Sequence, residues 1–542
     1  MIKIIDKTML YALYGERSYR KYNGILLGHL HEKYGQGTFD QEPLTQEILK
    51  FCYDWAADKF LELMHAQTDK RFLFYLFKIH EDSIKLYFKQ LENPEELKKK
   101  EVNLNTLSLN RRVLKLALEQ SCDINYIGDN TPDPRIMPGF VTLIEDLLFV
   151  GERLFAFAEH MAEQRMMEDP VEFIITEESY TIQRKYHYDF IYYEMEKLFH
   201  EGFENGLVDG DAIKGLRAEL QNSMKIDYDF AGGQIMEIKR HHSPKAPDLQ
   251  TVEAHILPLN LEQNGVSKTD AENFYAGLTI SRANKFPIRD SVYKSHSFAR
   301  YFFRPILIVN INGEDRALVG SEKWQESIMV MATNGFQWQQ APEEWKRNNA
   351  FNAYLNRKAD EHDKLLEDKV KEVLQRKGLP YIHHVTRLNP MKGPAINVET
   401  ACGEIDFIIL DPNCKKVLVT DCKYHRARYE MVGFSTDYSN FKNLYEPKIE
   451  KKVKFIADNL GLVQEHFEKE GIAQIDLSTY TVEALFIINT PTFYILNGKY
   501  NTVAITHLAD FIDRAYKFQT LTAHMPDGEW QINHPYFRKP LN

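Results

Sequence analysis

The stretch Gly403–His425, GEIDFIILDPNCKKVLVTDCKYH, constrains this chain more than any other. Two apolar runs joined by a short polar turn read as neighbouring core strands, yet both carry acids where a core strand wants leucine. Asp406 stands inside the first run between Ile405 and Phe407, and Asp421 and Lys423 close the second. Residues two apart on a strand share a face, so Val417, Val419, Asp421 and Lys423 point one way. A lone buried carboxylate costs on the order of several kcal/mol. Two that converge from adjacent strands repel each other unless a cation lies between them. Hard divalent ions such as Mg²⁺ take carboxylate oxygens and keep several waters. Bound there, such an ion lowers the pKa of a water and offsets charge growing on a phosphate. Lys423 beside it is placed to orient the attacking water or to stabilise a pentacoordinate phosphorus. This set of residue types points to phosphodiester cleavage, with Mg²⁺ as the ion and Mn²⁺ as a substitute.

A third acid is expected from the helix before the strands, EHDKLLEDKVKEVLQRKG, which Gly378 terminates. At about 100° per residue, Leu366, Val370, Val373 and Leu374 form one stripe, and Glu367 lies at its edge. Glu372 points away. Asp363, one turn before Glu367, is the reserve candidate.

Glu367 on a helix, GEID with Asp406, and Asp421-Cys422-Lys423 together resemble the PD-(D/E)xK restriction-endonuclease-like nuclease superfamily, over roughly residues 343–525. The resemblance implies an αβββαβ core in which Glu367, Asp406 and Asp421 ligand the metal and Lys423 is the catalytic lysine. Ile405 replaces the proline of the family's name, and Asp421 stands where many members carry Glu. The element order supports the motif: after LPYIHHVTRL, GEIDFIIL and KKVLVTDCKY come a helix through SNFKNLYEPKIEKKVKFIADNL and the strand TVEALFIINT.

At 542 residues the chain exceeds one ordinary core. The expected fold is α/β in three parts: a mostly helical region over 1–166, a mixed α/β region over 167–341, and the nuclease-like domain over 342–542. From about Leu44 to Met166 hydrophobic residues recur at helical spacing, broken by GDNTPDPRIMPG. In the middle, EFIITEESYTIQRKYHYDF reads as a hairpin followed by the helix FIYYEMEKLFHEGFENG, and KRHHSPKAPD reads as a boundary. Asn312-Gly313 between apolar runs marks a second hairpin. The helical region carries no convergent catalytic set and is expected to recognise, regulate or assemble.

A net charge of −11 repels a polyanion, so nucleic-acid binding needs a local cationic patch. Residues 423–454 hold eight Lys and Arg against four Asp and Glu, a surplus of four positive charges. Arg426, Arg428, Lys448 and Lys452 are the expected phosphate contacts. Five cysteines without a CxxC pair argue against a zinc ribbon or disulfide framework, and the charged N-terminal segment lacks a signal-peptide core. A cytoplasmic protein is expected, acting on DNA in preference to RNA and not on membranes. A role in microbial restriction or anti-phage defence follows by fold-level analogy. No G-x-x-x-x-G-K-[ST] occurs, so ATP-driven movement would need an ATPase partner; a homo-oligomer is the other assembly considered. Two rival functions stand beside the nuclease. One is a binding or scaffold protein whose core no longer cuts. The other is a helical ribonuclease using Arg153 and His160 in an Arg-x₆-His pattern. The pairs His241-His242 and His383-His384 are read as structural or surface residues, because adjacent strand residues face opposite ways.

Overall fold

The computed structural model of the protein describes every residue except 129–132, 168–169, 186–209, 243–250, 427, 429, 516–520, 526–527 and 533–542. The fold is mixed α/β. Among the described residues, no helix is long and apolar enough to cross a membrane.

Helices Glu42–His65, Lys70–Glu92, Leu104–Ser121 and Met137–Met166 occupy the region of helical spacing and bury Phe60, Leu76, Val113 and Leu148 in one core. The hairpin Ile2–Ile5/Met9–Ala12 and the helix Glu16–Tyr34 precede them. Strand Asn125–Tyr126 leaves this region to pair in parallel with Ile306–Ile311. The middle region holds both expected hairpins, Val171–Ile175 with Tyr180–Arg184 and Ile306–Ile311 with Glu314–Val319. Asn312 and Gly313 have φ of 53° and 88°, the left-handed pair that a tight hairpin turn demands. The helix expected over 190–206 lies outside the described residues. His241 and His242 end the helix Tyr228–His242, so the strand argument used for that pair is corrected.

The C-terminal region builds a five-stranded sheet in sequential order: β1 (Tyr381–Val385), β2 (Ile405–Asp411), β3 (Lys416–Lys423), β4 (Thr481–Ile488) and β5 (Asn501–Ala504). The first three are antiparallel neighbours, and β4 and β5 add in parallel. The β2–β3 turn is held locally, with Asp411 Oδ1 accepting the N–H groups of Asn413 and Cys414 at 3.0 and 3.1 Å.

Helix α1 (Asn349–Lys377) begins where the Asn348 side chain accepts from the N–H groups of Ala350 and Phe351, and it stops at Gly378, φ 66°. Its Leu366, Val370 and Leu374 pack on Phe407, Ile409 and Leu418, covering one face of the sheet. On the other face, Ile456 of helix α3 (Glu446–Asp458) packs on Ile408, Val417 and Val419. Helix α2 (Met431–Asn440) lies between, and its Met431, Val432 and Phe434 enter the N-terminal helical core. Arg112 with Glu430, and the Val432 N–H with Glu159 Oε2 at 3.1 Å, fasten the same junction.

Candidate active site

Pairing of β2 with β3 runs from Asp411↔Lys416 to Phe407↔Thr420, so the next step sets Asp406 opposite Asp421 on one face of the sheet. There the backbone ladder gives way to a side chain: the Cys422 N–H donates to Asp406 Oδ2 at 2.6 Å. Asp421, 2% exposed, is gripped from both sides. Lys423 Nζ lies 2.8 Å from its Oδ2, and Lys452 Nζ, arriving from α3, donates to its Oδ1 at 2.8 Å. Glu367 comes from α1 at the strand ends, and its Oε2 lies 3.0 Å from His384 Nε2. Glu367, Asp406, Lys423, His384, Glu404 and the reserve candidate Asp363 all line one cavity of about 580 Å³.

Electrostatics divides the two aspartates. Burial first, and the Asp421 charge second, push the Asp406 carboxyl up to about 7. Burial also acts to raise Asp421, but the ammonium groups of Lys423 and Lys452 prevail and hold it below the usual carboxylate range. Glu367 is raised, by burial above all. Below about pH 7 the pair therefore holds one proton, on the Asp406 side.

Asp406 keeps its proton in the folded state between pH 3.8 and about 7, where the unfolded chain has released it. Metal-free stability therefore falls as pH rises through that window, and the full penalty is present above it. Asp406→Asn removes the penalty while its amide oxygen still accepts from Cys422. The variant is expected to be more stable than the parent at pH 8 by a few kcal/mol, roughly 4 at most, with the gap closing toward pH 4. Thermal melts in EDTA across that range check it; a gap that does not change with pH would contradict the assignment.

The donor types suit a hard divalent cation, and Glu367 Oε2 is buried without a hydrogen bond of good geometry despite its ionic contact with His384. In the conformation described, however, no three His, Cys, Asp or Glu among the described residues stand together closely enough to hold an ion. Both Asp421 oxygens are occupied by lysines. To ligand a cation, Asp421 would have to lose Lys423 and Glu367 would have to leave His384.

Three of the four expected phosphate contacts are engaged within the protein. Lys452 is buried on Asp421. Arg428 makes a two-pronged pair with Asp437 at 2.8 and 2.9 Å. Arg426, 8% exposed, donates to Gln340 Oε1 at 2.7 Å and lies over the Trp338 ring. Only Lys448 is exposed as expected. Arg426 and Lys452 turn inward where the chain leaving β3 packs into the middle of the molecule, while Lys448, Lys451 and Lys454 stay exposed. Arg153 pairs with Glu152, and His160 Nδ1 contacts Glu163 at 3.0 Å beside Arg184.

His384 and Glu404 were missed. His384 was read as structural or surface, but the β1–β2 register places it across from Asp406, with φ of 50°, and its ring bridges Glu367 and Glu404. Glu404 was visible in GEID, directly before the strand; His384 needed the strand pairing. Comparison with protein-family models, with curated proteins and with solved structures yields no match.

Proposed function

We propose that the protein is a divalent-metal-dependent nuclease, a phosphodiester hydrolase built on a restriction-endonuclease-like C-terminal core, with DNA preferred over RNA. The observation that carries this reading is the convergence of Asp406, Lys423 and Glu367 on one cavity, with Asp421 directly behind them. Sequential sheet order and the helix of Glu367 packed on that sheet support it. Asp406, Asp421 and Glu367 would hold the ion. When bound, it supplies a water of lowered pKa and a positive charge for the phosphate oxygens. The chain's own groups do the rest. Asp406 gives up its proton on entering the loaded state, and Lys423, released from Asp421, turns its ammonium to the scissile phosphate. Lys452 stays on Asp421 and fixes its orientation. Restriction or anti-phage defence is the biological setting proposed, by analogy with other nucleases that carry large additional regions.

One observation favours a second reading, a nucleic-acid-binding or scaffold core that no longer cuts: both oxygens of Asp421 are already capped by ammonium groups. Plasmid, linear duplex, single-stranded DNA and RNA, each incubated with the protein in Mg²⁺, Mn²⁺ or EDTA, separate the two. Cleavage that needs a divalent ion is expected, on DNA above RNA. Intact substrates under every condition would favour the non-cutting core.

A further inference from the structure

A second cavity, of about 560 Å³, adjoins the acid site, and Tyr424 and Tyr445 line both. Its walls come from three distant stretches: 293–299, the turn around Trp338 and Gln340, and the chain that leaves β3 through α2. Five cations line it, Lys294, Arg304, Lys346, Arg426 and Arg428, against the acids Glu343 and Asp437. Four of the five have carboxylate partners: Asp290, Glu344, Glu343 and Asp437 in turn.

Arg426 differs. It is buried, its one side-chain acceptor is the neutral Gln340, and among the described residues no carboxylate lies within 4.0 Å of it. Burial first and the Arg428 charge second lower its pKa to about 10, which still leaves it cationic at pH 7. A buried charge without a counter-ion costs several kcal/mol by rough estimates, so this cavity favours an anion. His425 lines the same space, and its buried Nε2 has no hydrogen-bond partner. Burial lowers its ring to about 4, leaving a neutral imidazole able to make one further hydrogen bond. The rings of Tyr293, Trp338, Tyr424 and Tyr445 supply flat apolar wall, and aromatic faces stack any base at about 1–3 kcal/mol each.

Size narrows the ligand. A duplex, whose major groove alone is about 12 Å wide, is too broad for this space, whereas one strand fits. We propose that the cavity holds an unpaired nucleotide of a nucleic-acid strand, its phosphate on Arg426 and its base against the aromatic wall, with the strand running past Tyr424 and Tyr445 to the acids. This rests on the nuclease reading for where the strand leads, and it deepens that reading: the substrate is single-stranded at the cleft.

Fluorescence anisotropy in EDTA tests binding without any need for cleavage. The probes are a labelled single-stranded oligonucleotide, as DNA and as RNA, and the blunt duplex of the same sequence. At least one single strand should bind tenfold or more tighter than the duplex. Arg426→Gln should weaken that binding tenfold or more, with a salt slope shallower by about 0.7 for the lost phosphate contact. Thr436→Glu, at an exposed position on the wall, should weaken it as well and answers the question if the Arg426 variant fails to fold. Wild-type affinity in both folded variants, or equal affinity for duplex and single strand, overturns the proposal. So does binding of a nucleoside monophosphate with no binding of the oligonucleotide, which marks an effector pocket. A protein that binds strands through Arg426 but never cuts keeps this inference and loses the nuclease reading. One that cuts with Arg426→Gln binding as wild type loses only the inference.

Discussion

Asp421→Ala is expected to lower stability more than any other single change at the site. In the parent, Asp421 neutralises two lysines at 2.8 Å each, and one of them, Lys452, is itself buried. Removing the carboxylate leaves two ammonium groups facing each other, one of them, Lys452, buried. Breaking a buried pair from one side costs about 3–5 kcal/mol. Relief of Asp406, whose repulsive neighbour is gone, returns part of that. The expected result is a denaturation midpoint clearly below that of the parent in EDTA, together with loss of cleavage and weaker divalent-ion binding. Double replacement, Asp421→Ala with Lys452→Met, should recover much of the stability and none of the activity. An unchanged midpoint in the single variant would show that the lysines do not depend on Asp421.

Lys423→Ala is expected to act on rate rather than on stability. Removing an electrostatic stabiliser of the transition state typically costs about 10²–10³ in rate. The Asp421 carboxylate stays in place, and its Oδ2 loses the ammonium that now occupies it. Divalent-ion binding by calorimetry should therefore survive and tighten, the opposite of Asp421→Ala. Strand binding should persist, because backbone contacts are spread over several cations.

The strands and the helix that carry the acids were legible because their signals are local. Continuous apolar runs, the Asn312-Gly313 pair, and Gly378 after a periodic stripe each report on a few neighbouring residues. Asp406 and Asp421 could be paired from the sequence because one tight turn joins their strands and fixes the register. Lys452 and His384 could not. Lys452 sits 31 residues after Asp421, and whether it faces the sheet or solvent depends on how the crossover helix docks. His384 reaches Glu367 only through a left-handed backbone at its own position.

The same limit hid the cluster in which Glu326 receives Arg111 and Lys115 from the helix Leu104–Ser121 and Lys323 from its own helix. Each of those residues reads alone as an ordinary surface charge. Glu81 is similar: its carboxylate accepts the N–H groups of Glu322 and Lys323, 241 and 242 residues further along the chain, at the start of the helix Ser321–Asn334. Long-range charge pairing leaves no periodicity in the chain.

If Lys423 and the three acids form a phosphodiester-cleaving site, cleavage must depend on Lys423. The most direct measurement compares cleavage of the preferred substrate in Mg²⁺ by the parent and by Lys423→Ala, both purified free of host nucleases and both shown to bind the ion. Cleavage by the parent is expected, abolished in EDTA, with a loss of about a hundredfold or more in the variant. Cleavage by Lys423→Ala at the parent's rate would contradict it.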